Sequence, residues 1–90
     1  MLGPVHPHTA RAINNLALLL QNQGDLTGAR RLRERALAIY EKTFGSDHPN
    51  TGMTLNHLAY LVWAEGDLAG ARSLYERALA IAEGAWLRTS

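Results

Sequence analysis

The sequence predicts an all-α fold of two tandem helix-turn-helix hairpins stacked one on the other, and three observations carry that expectation. The chain repeats itself with a period of 42 residues: Gly3–Glu41 laid on Gly45–Glu83 without a gap gives 22 identities in 39 positions. Each copy holds two stretches in which apolar residues recur at the spacing of one helix face. Between the two stretches stands a Gly-Asp pair, Gly24-Asp25 in the first copy and Gly66-Asp67 in the second. Self-similarity at such a period marks a repeat architecture, in which neighbouring units share a continuous core. One domain over residues 1–90 is expected, with units at about 6–44 and 48–86.

The first helix follows from Ile13, Leu16, Ala17 and Leu20, which fall at i, i+3, i+4 and i+7. Pro7 suits its first turn, where the missing N–H is not needed. Gly24 can take the positive φ that ends a helix, and Asp25 can cap the next one. The second helix turns Leu26, Ala29, Leu32, Ala36, Leu37, Ile39 and Tyr40 inward, with Phe44 near its end. Gly45 and Pro49 bound the link to the second unit. There the third helix repeats the first with Leu55, Leu58, Ala59 and Val62. The fourth repeats the second with Leu68, Ala71, Leu74, Tyr75, Ala78, Leu79, Ile81 and Ala82, and runs on towards Trp86. Strands are disfavoured, because Ala and Leu outnumber β-branched residues and no long alternation of apolar and polar residues occurs.

Nine basic and eight acidic residues leave a net charge of +1, which argues against a dedicated nucleic-acid or membrane-surface binder. Absence of cysteine excludes a disulfide framework and thiolate metal sites, and fits the cytoplasm. The N-terminus lacks the pattern of a signal peptide, and no apolar run approaches the roughly 20 residues that span a bilayer.

Catalytic chemistry is not expected. The carboxylates Asp25, Glu34 and Glu41 recur as Asp67, Glu76 and Glu83, so caps and surface pairs such as Arg30–Glu34 and Arg72–Glu76 account for them. No phosphate-cradle, nucleophile-elbow or zinc-protease motif is present, and no cofactor or metal is expected. His6 recurs as His48, which points to a structural role before each unit's first helix. His8 has no counterpart. Arg30, Arg31, Arg33 and Arg35 read as a solvated helix face interrupted by Glu34.

The run Asn14-Asn15-Leu16-Ala17-Leu18-Leu19-Leu20, then Gln23-Gly24-Asp25-Leu26, Ala29-Arg30 and Glu34-Arg35-Ala36-Leu37-Ala38-Ile39, resembles the tetratricopeptide repeat. The period resembles the longer variant typified by kinesin light chains. The small residues Ala17, Ala29 and Ala36, with Ala59, Ala71 and Ala78, match the family's close-packing positions. Arg33 departs from them where an aromatic or large apolar residue is usual, and implies looser packing there. The resemblance implies a short right-handed α-solenoid that binds a peptide segment of a protein partner in its concave groove. It places Arg11, Asn14, Leu18 and Gln21 in that groove from the first unit, and Met53, Asn56, Tyr60 and Trp63 from the second. Asn15 and His57 stand at the edge. The spacing agrees, since both sets of four step by three, four and three residues along a stripe distinct from the core stripe. Met53, Tyr60 and Trp63 are large side chains of the kind enriched where proteins bind partners; covering the neighbouring helix is the alternative. Asn14 and Asn56 can hold a peptide backbone through amides that both donate and accept.

Arrays of this kind generally hold about three units and a polar capping helix. Two units without such a helix leave an apolar end face, expected at Leu79, Ala82, Trp86 and Leu87. Self-association into a homo-oligomer through that face is one expectation, and a piece of a longer array is the other.

Overall fold

The computed structural model describes the backbone of residues 5–89 and the side chains of residues 5–84. Four helices follow in order, α1 (Pro7–Asn22), α2 (Leu26–Phe44), α3 (Pro49–Ala64) and α4 (Leu68–Thr89). Each packs on the next, giving two hairpins joined through the α2–α3 contact. The slab they form measures 40 × 39 × 17 Å.

The turns are built twice in the same way. Gly24 N–H donates to Gln21 O at 3.0 Å and Asp25 N–H to Leu20 O at 2.9 Å. These are the two bonds that close a helix behind a left-handed residue, and Gly24 supplies the φ of 87°. The second unit repeats them with Gly66 N–H to Trp63 O and Asp67 N–H to Val62 O. The same aspartate then opens the following helix: Asp25 Oδ1 accepts from Gly28 N–H, and Asp67 Oδ1 from Gly70 N–H, both at 2.9 Å. A Cβ on Gly28 or Gly70 would run into that capping carboxylate, which explains the repeated Asp-Leu-x-Gly spacing. Asp25→Ala is therefore expected to lower stability by about 1 kcal/mol, read as a shift of the urea midpoint at unchanged slope.

His6 and His48 also cap. His6 Nδ1 accepts from His8 N–H at 3.1 Å, and His48 Nδ1 from Asn50 N–H at 3.0 Å, with Pro7 and Pro49 opening α1 and α3. A ring that accepts at Nδ1 carries its proton at Nε2.

The core contains Ala10, Ile13, Ala36, Ile39 and Tyr40 in the first hairpin. Leu37, Leu55, Leu58, Ala78 and Ile81 form the part that joins α2 to the second hairpin. Ala17 and Ala29 meet Leu61 across the units. Surface ion pairs add links between units: Arg30 Nε lies 2.6 Å from Glu65 Oε1, and Arg77 Nη2 lies 2.8 Å from Glu41 Oε2. The expected helix pairs form too, Arg30–Glu34 at 3.3 Å and Arg72–Glu76 at 3.7 Å. Exposed pairs of this kind contribute about 0–1 kcal/mol each.

Several residues assigned to the core by periodicity are exposed. Leu16, Leu68, Tyr75, Leu79 and Ala82 belong to this group. The cause is position in the stack. Leu19 is 52% exposed while its counterpart Leu61 is 0%, and Leu37 is 9% exposed while its counterpart Leu79 is 59%. Leu58 and Leu61 face α2 of the preceding unit, whereas nothing among the described residues covers Leu16 and Leu19 in that way. Leu37 faces the second unit, and nothing among the described residues covers Leu79 in the same way. Phe44 is also partly exposed; it stacks between Tyr40 and His48, with ring centroids 5.7 and 4.3 Å away. Leu61, Thr51 and Thr54, which periodicity did not assign to the core, are fully buried. The two threonine hydroxyls donate to Gly45 O and Asn50 O, so neither is left unpaired in the interior.

Candidate functional site

The helical step that buries Ile13 and Ala17 turns the opposite edge of α1 towards α3. Together they wall a groove of about 500 Å³. From α1 it receives Arg11, Asn14, Asn15, Leu18 and Gln21, and from α3 it receives Asn50, Met53 and His57. Arg33 and Tyr40 of α2 form its floor. A smaller hollow adjoins it at the start of α1, sharing Arg11, Tyr40 and Asn50 with Pro7 and His8.

Of the ten groove and groove-edge positions expected from the sequence, seven converge here: Arg11, Asn14, Asn15, Leu18, Gln21, Met53 and His57. Asn56, Tyr60 and Trp63 are exposed but do not line this groove. Tyr60 and Trp63 lie together, ring centroids 5.9 Å apart. Trp63 faces a second, more apolar depression with Leu68, Ala71, Tyr75 and Leu79, flanked by Arg72 and Glu76. Leu79 and Ala82 are exposed on α4, while the side chains of Trp86 and Leu87 lie outside the described residues.

Asn14 is buried, and both ends of its amide are engaged. Its Oδ1 accepts from Arg33 Nη1 at 3.0 Å, and its Nδ2 donates to Thr54 Oγ1 at 3.5 Å, the limit of a useful bond. It thus ties α1 to α2 and α3 instead of standing free for a backbone. Asn56, its counterpart, is exposed, and the position that matches Arg33 in the second unit is Tyr75.

Arg33 corrects one expectation. It is 4% exposed, so it does not belong to a solvated basic face; it stands on the inward stripe between the buried Ala29 and Ala36. Burial draws its pKa down from the usual arginine value. Its Nε is buried without a hydrogen-bond partner. The signal available in the sequence was the i, i+4, i+7 spacing of Ala29, Arg33 and Ala36. Arg31 and Arg35 are exposed, as expected of a solvated face.

His57 stands on the groove wall, where desolvation first and the Arg33 cation second hold its pKa below the ordinary 6.5. The folded chain therefore binds fewer protons there than the unfolded chain. The resulting stability is complete above about 6.5 and declines as pH falls below that value. We expect His57 to titrate below 6.5 by NMR, and Arg33→Met to move the midpoint part of the way up. An unchanged midpoint would show that the Arg33 charge does not reach the groove wall.

Among the described residues no helix is long and apolar enough to cross a membrane, and no group of three or more potential metal-ligating His, Cys, Asp or Glu side chains gathers. The profile of the family described as Tetratricopeptide repeat matches residues 3–84. No curated protein matches the chain.

Proposed function

The chain belongs to the tetratricopeptide repeat family, whose domains generally mediate protein–protein interaction, and on that footing we propose that it binds a peptide segment of a protein partner in the groove between α1 and α3. It does so without catalysing a reaction. The observation that carries this reading is the convergence of Arg11, Asn15, Leu18, Gln21, Met53 and His57 on one depression from two adjacent units. Leu18 and Met53 supply apolar contact, and the polar groups around them fix register and direction. Asn14 acts here by positioning Arg33. The 42-residue period supports reading the chain as the kinesin-light-chain-like variant, and the lack of cysteine is compatible with a cytoplasmic setting. A near-neutral charge favours a protein partner over nucleic acid or a membrane surface.

The test is selection of peptides from a random library on the immobilised chain, followed by affinity measurement against Leu18→Ser/Met53→Ser. Both side chains are about half exposed, so the fold should tolerate the change. A loss of at least about tenfold is expected for two apolar anchors. Unchanged affinity in the folded variant removes the groove assignment.

A second reading rests on a separate observation. Leu16 and Leu19 at one end and Leu68, Tyr75 and Leu79 at the other are exposed, while counterparts of four of them, Leu58, Leu61, Leu26 and Leu37, contribute to the packed join between units. A second copy meeting the first head to tail would reproduce that join, as would a further repeat. Sedimentation velocity across concentration checks this. Self-association weakened by Leu79→Glu supports it, and a monomer at millimolar concentration sinks it.

A further inference from the structure

The join between the two units is made by residues that the chain carries twice, and one set of them is engaged. At that join Leu61 of α3 packs with Ala17 and Ala29, and Leu58 packs in one cluster with Leu37. Two bridges cross it, Arg30–Glu65 at 2.6 Å and Arg77–Glu41 at 2.8 Å. A step of 42 residues finds the parts of a second join. On α4, Leu68, Ala71 and Leu79 line a depression of about 360 Å³. They are the counterparts of Leu26, Ala29 and Leu37, on which α3 lies in the internal join. On α1, Leu16 and Leu19 are the counterparts of Leu58 and Leu61, and both are about half exposed. The second bridge is copied as well, since Glu83 matches Glu41 and Arg35 matches Arg77. Both are exposed, and among the described residues neither has an ion-pair partner. The Arg30–Glu65 bridge is not copied, because Gln23 stands at the position of Glu65.

We propose that the α4 face receives the α1 face of a second copy in the register of the internal join, with Arg35 of one copy bridged to Glu83 of the other. The proposal rests on the self-association reading above and adds its register and the ion pair that sets it. In that register Leu19 of the incoming copy enters the depression beside Ala71, as Leu61 sits beside Ala29. Leu16 covers Leu79, as Leu58 covers Leu37. These leucines supply the attraction, because each loses exposed apolar surface that its counterpart has already lost. The bridge supplies the alignment. Two α4 faces set against each other would leave Glu83 without its cation, and a slipped register would part it from Arg35. The two faces differ, so the contact is heterologous and can extend beyond a dimer.

Two dead-end variants isolate a single interface. Leu16→Glu disables the α1 face and Leu79→Glu the α4 face; both side chains are exposed, so the fold should tolerate either change. In sedimentation velocity each variant alone is expected to stay a monomer, while their equimolar mixture forms a one-to-one dimer through the two intact faces. A dimer of either variant alone, or a mixture that stays monomeric at millimolar concentration, overturns the proposal. If the unsubstituted chain is also a monomer there, the self-association reading falls with it; if it associates, that reading stands and only the head-to-tail join is lost. The bridge is then tested within the mixed dimer at low salt. Glu83→Arg in the Leu16→Glu chain, or Arg35→Glu in the Leu79→Glu chain, is expected to weaken the dimer about three- to tenfold. The two reversals together are expected to restore it to within about twofold, and Arg31→Glu, an equal change of charge on α2, to leave it unchanged. Reversals that have no effect, or that do not rescue each other, overturn the Arg35–Glu83 bridge and the register it sets.

Discussion

Leu61→Ala is expected to destabilise the chain by about 2–5 kcal/mol, and Leu19→Ala, the same substitution at the same repeat position, by less than about 0.5 kcal/mol. Leu61 is fully buried against Ala17 and Ala29, with Leu20, Leu26 and Leu32 packed alongside. Truncation there removes the transfer free energy of the lost carbons and leaves a cavity at the contact that holds the two hairpins together. Leu19 is half exposed, and its truncation leaves no cavity. Against a total stability of roughly 5–15 kcal/mol for a domain, the first substitution is severe and the second silent. Urea denaturation at low protein concentration reads both, and keeps any self-association through the end that carries Leu19 out of the comparison. Equal effects of the two substitutions would mean that the units do not stack as described.

The second large effect concerns Asn14 and Arg33, whose consequences should be unequal. Asn14→Leu is expected to cost about 1.5–3 kcal/mol, because it strips the buried guanidinium of the acceptor at Nη1 while Nε is already unpaired. Arg33→Met is expected to be far milder. It takes the donor from Asn14 Oδ1, but it removes the cation with its desolvation cost, keeps most of the volume, and leaves Asn14 Nδ2 its bond to Thr54. The double variant should recover most of the Asn14→Leu loss, giving a coupling of about 1–3 kcal/mol in a double-mutant cycle. Additive losses would show that Asn14 serves α1 through its shape and not through the arginine. Arg33→Met thus sharpens the functional question: a chain that folds as well without the arginine keeps it for something other than stability.

The groove and the fold were not equally legible. The helices, the Gly24 and Gly66 turns and the Asp25 and Asp67 caps are dictated by residues within five positions of one another, so the sequence displays them directly. Most of the groove wall was legible too, since Arg11, Asn14, Leu18 and Gln21 share one stripe of α1. Its floor was not. Arg33 looks like a member of an arginine-rich surface until α1 and α3 close over it, and Asn14 looks free until Arg33 and Thr54 reach it from other helices. Identity between the copies does not decide burial: Leu19 and Leu61 carry one residue in one local pattern, and their neighbours from the adjacent unit differ.

By itself, then, the sequence determined the period, the four helices and the glycine turns and aspartate caps between them, because hydrogen bonding and side-chain periodicity act over a turn or two of helix. Only the tertiary structure decided which apolar faces are covered, which of two equivalent asparagines is engaged, and where an unneutralised charge is buried. Those outcomes depend on what lies against a residue from the adjacent unit, and desolvation is a property of that neighbourhood, which a residue's own position in the repeat does not specify.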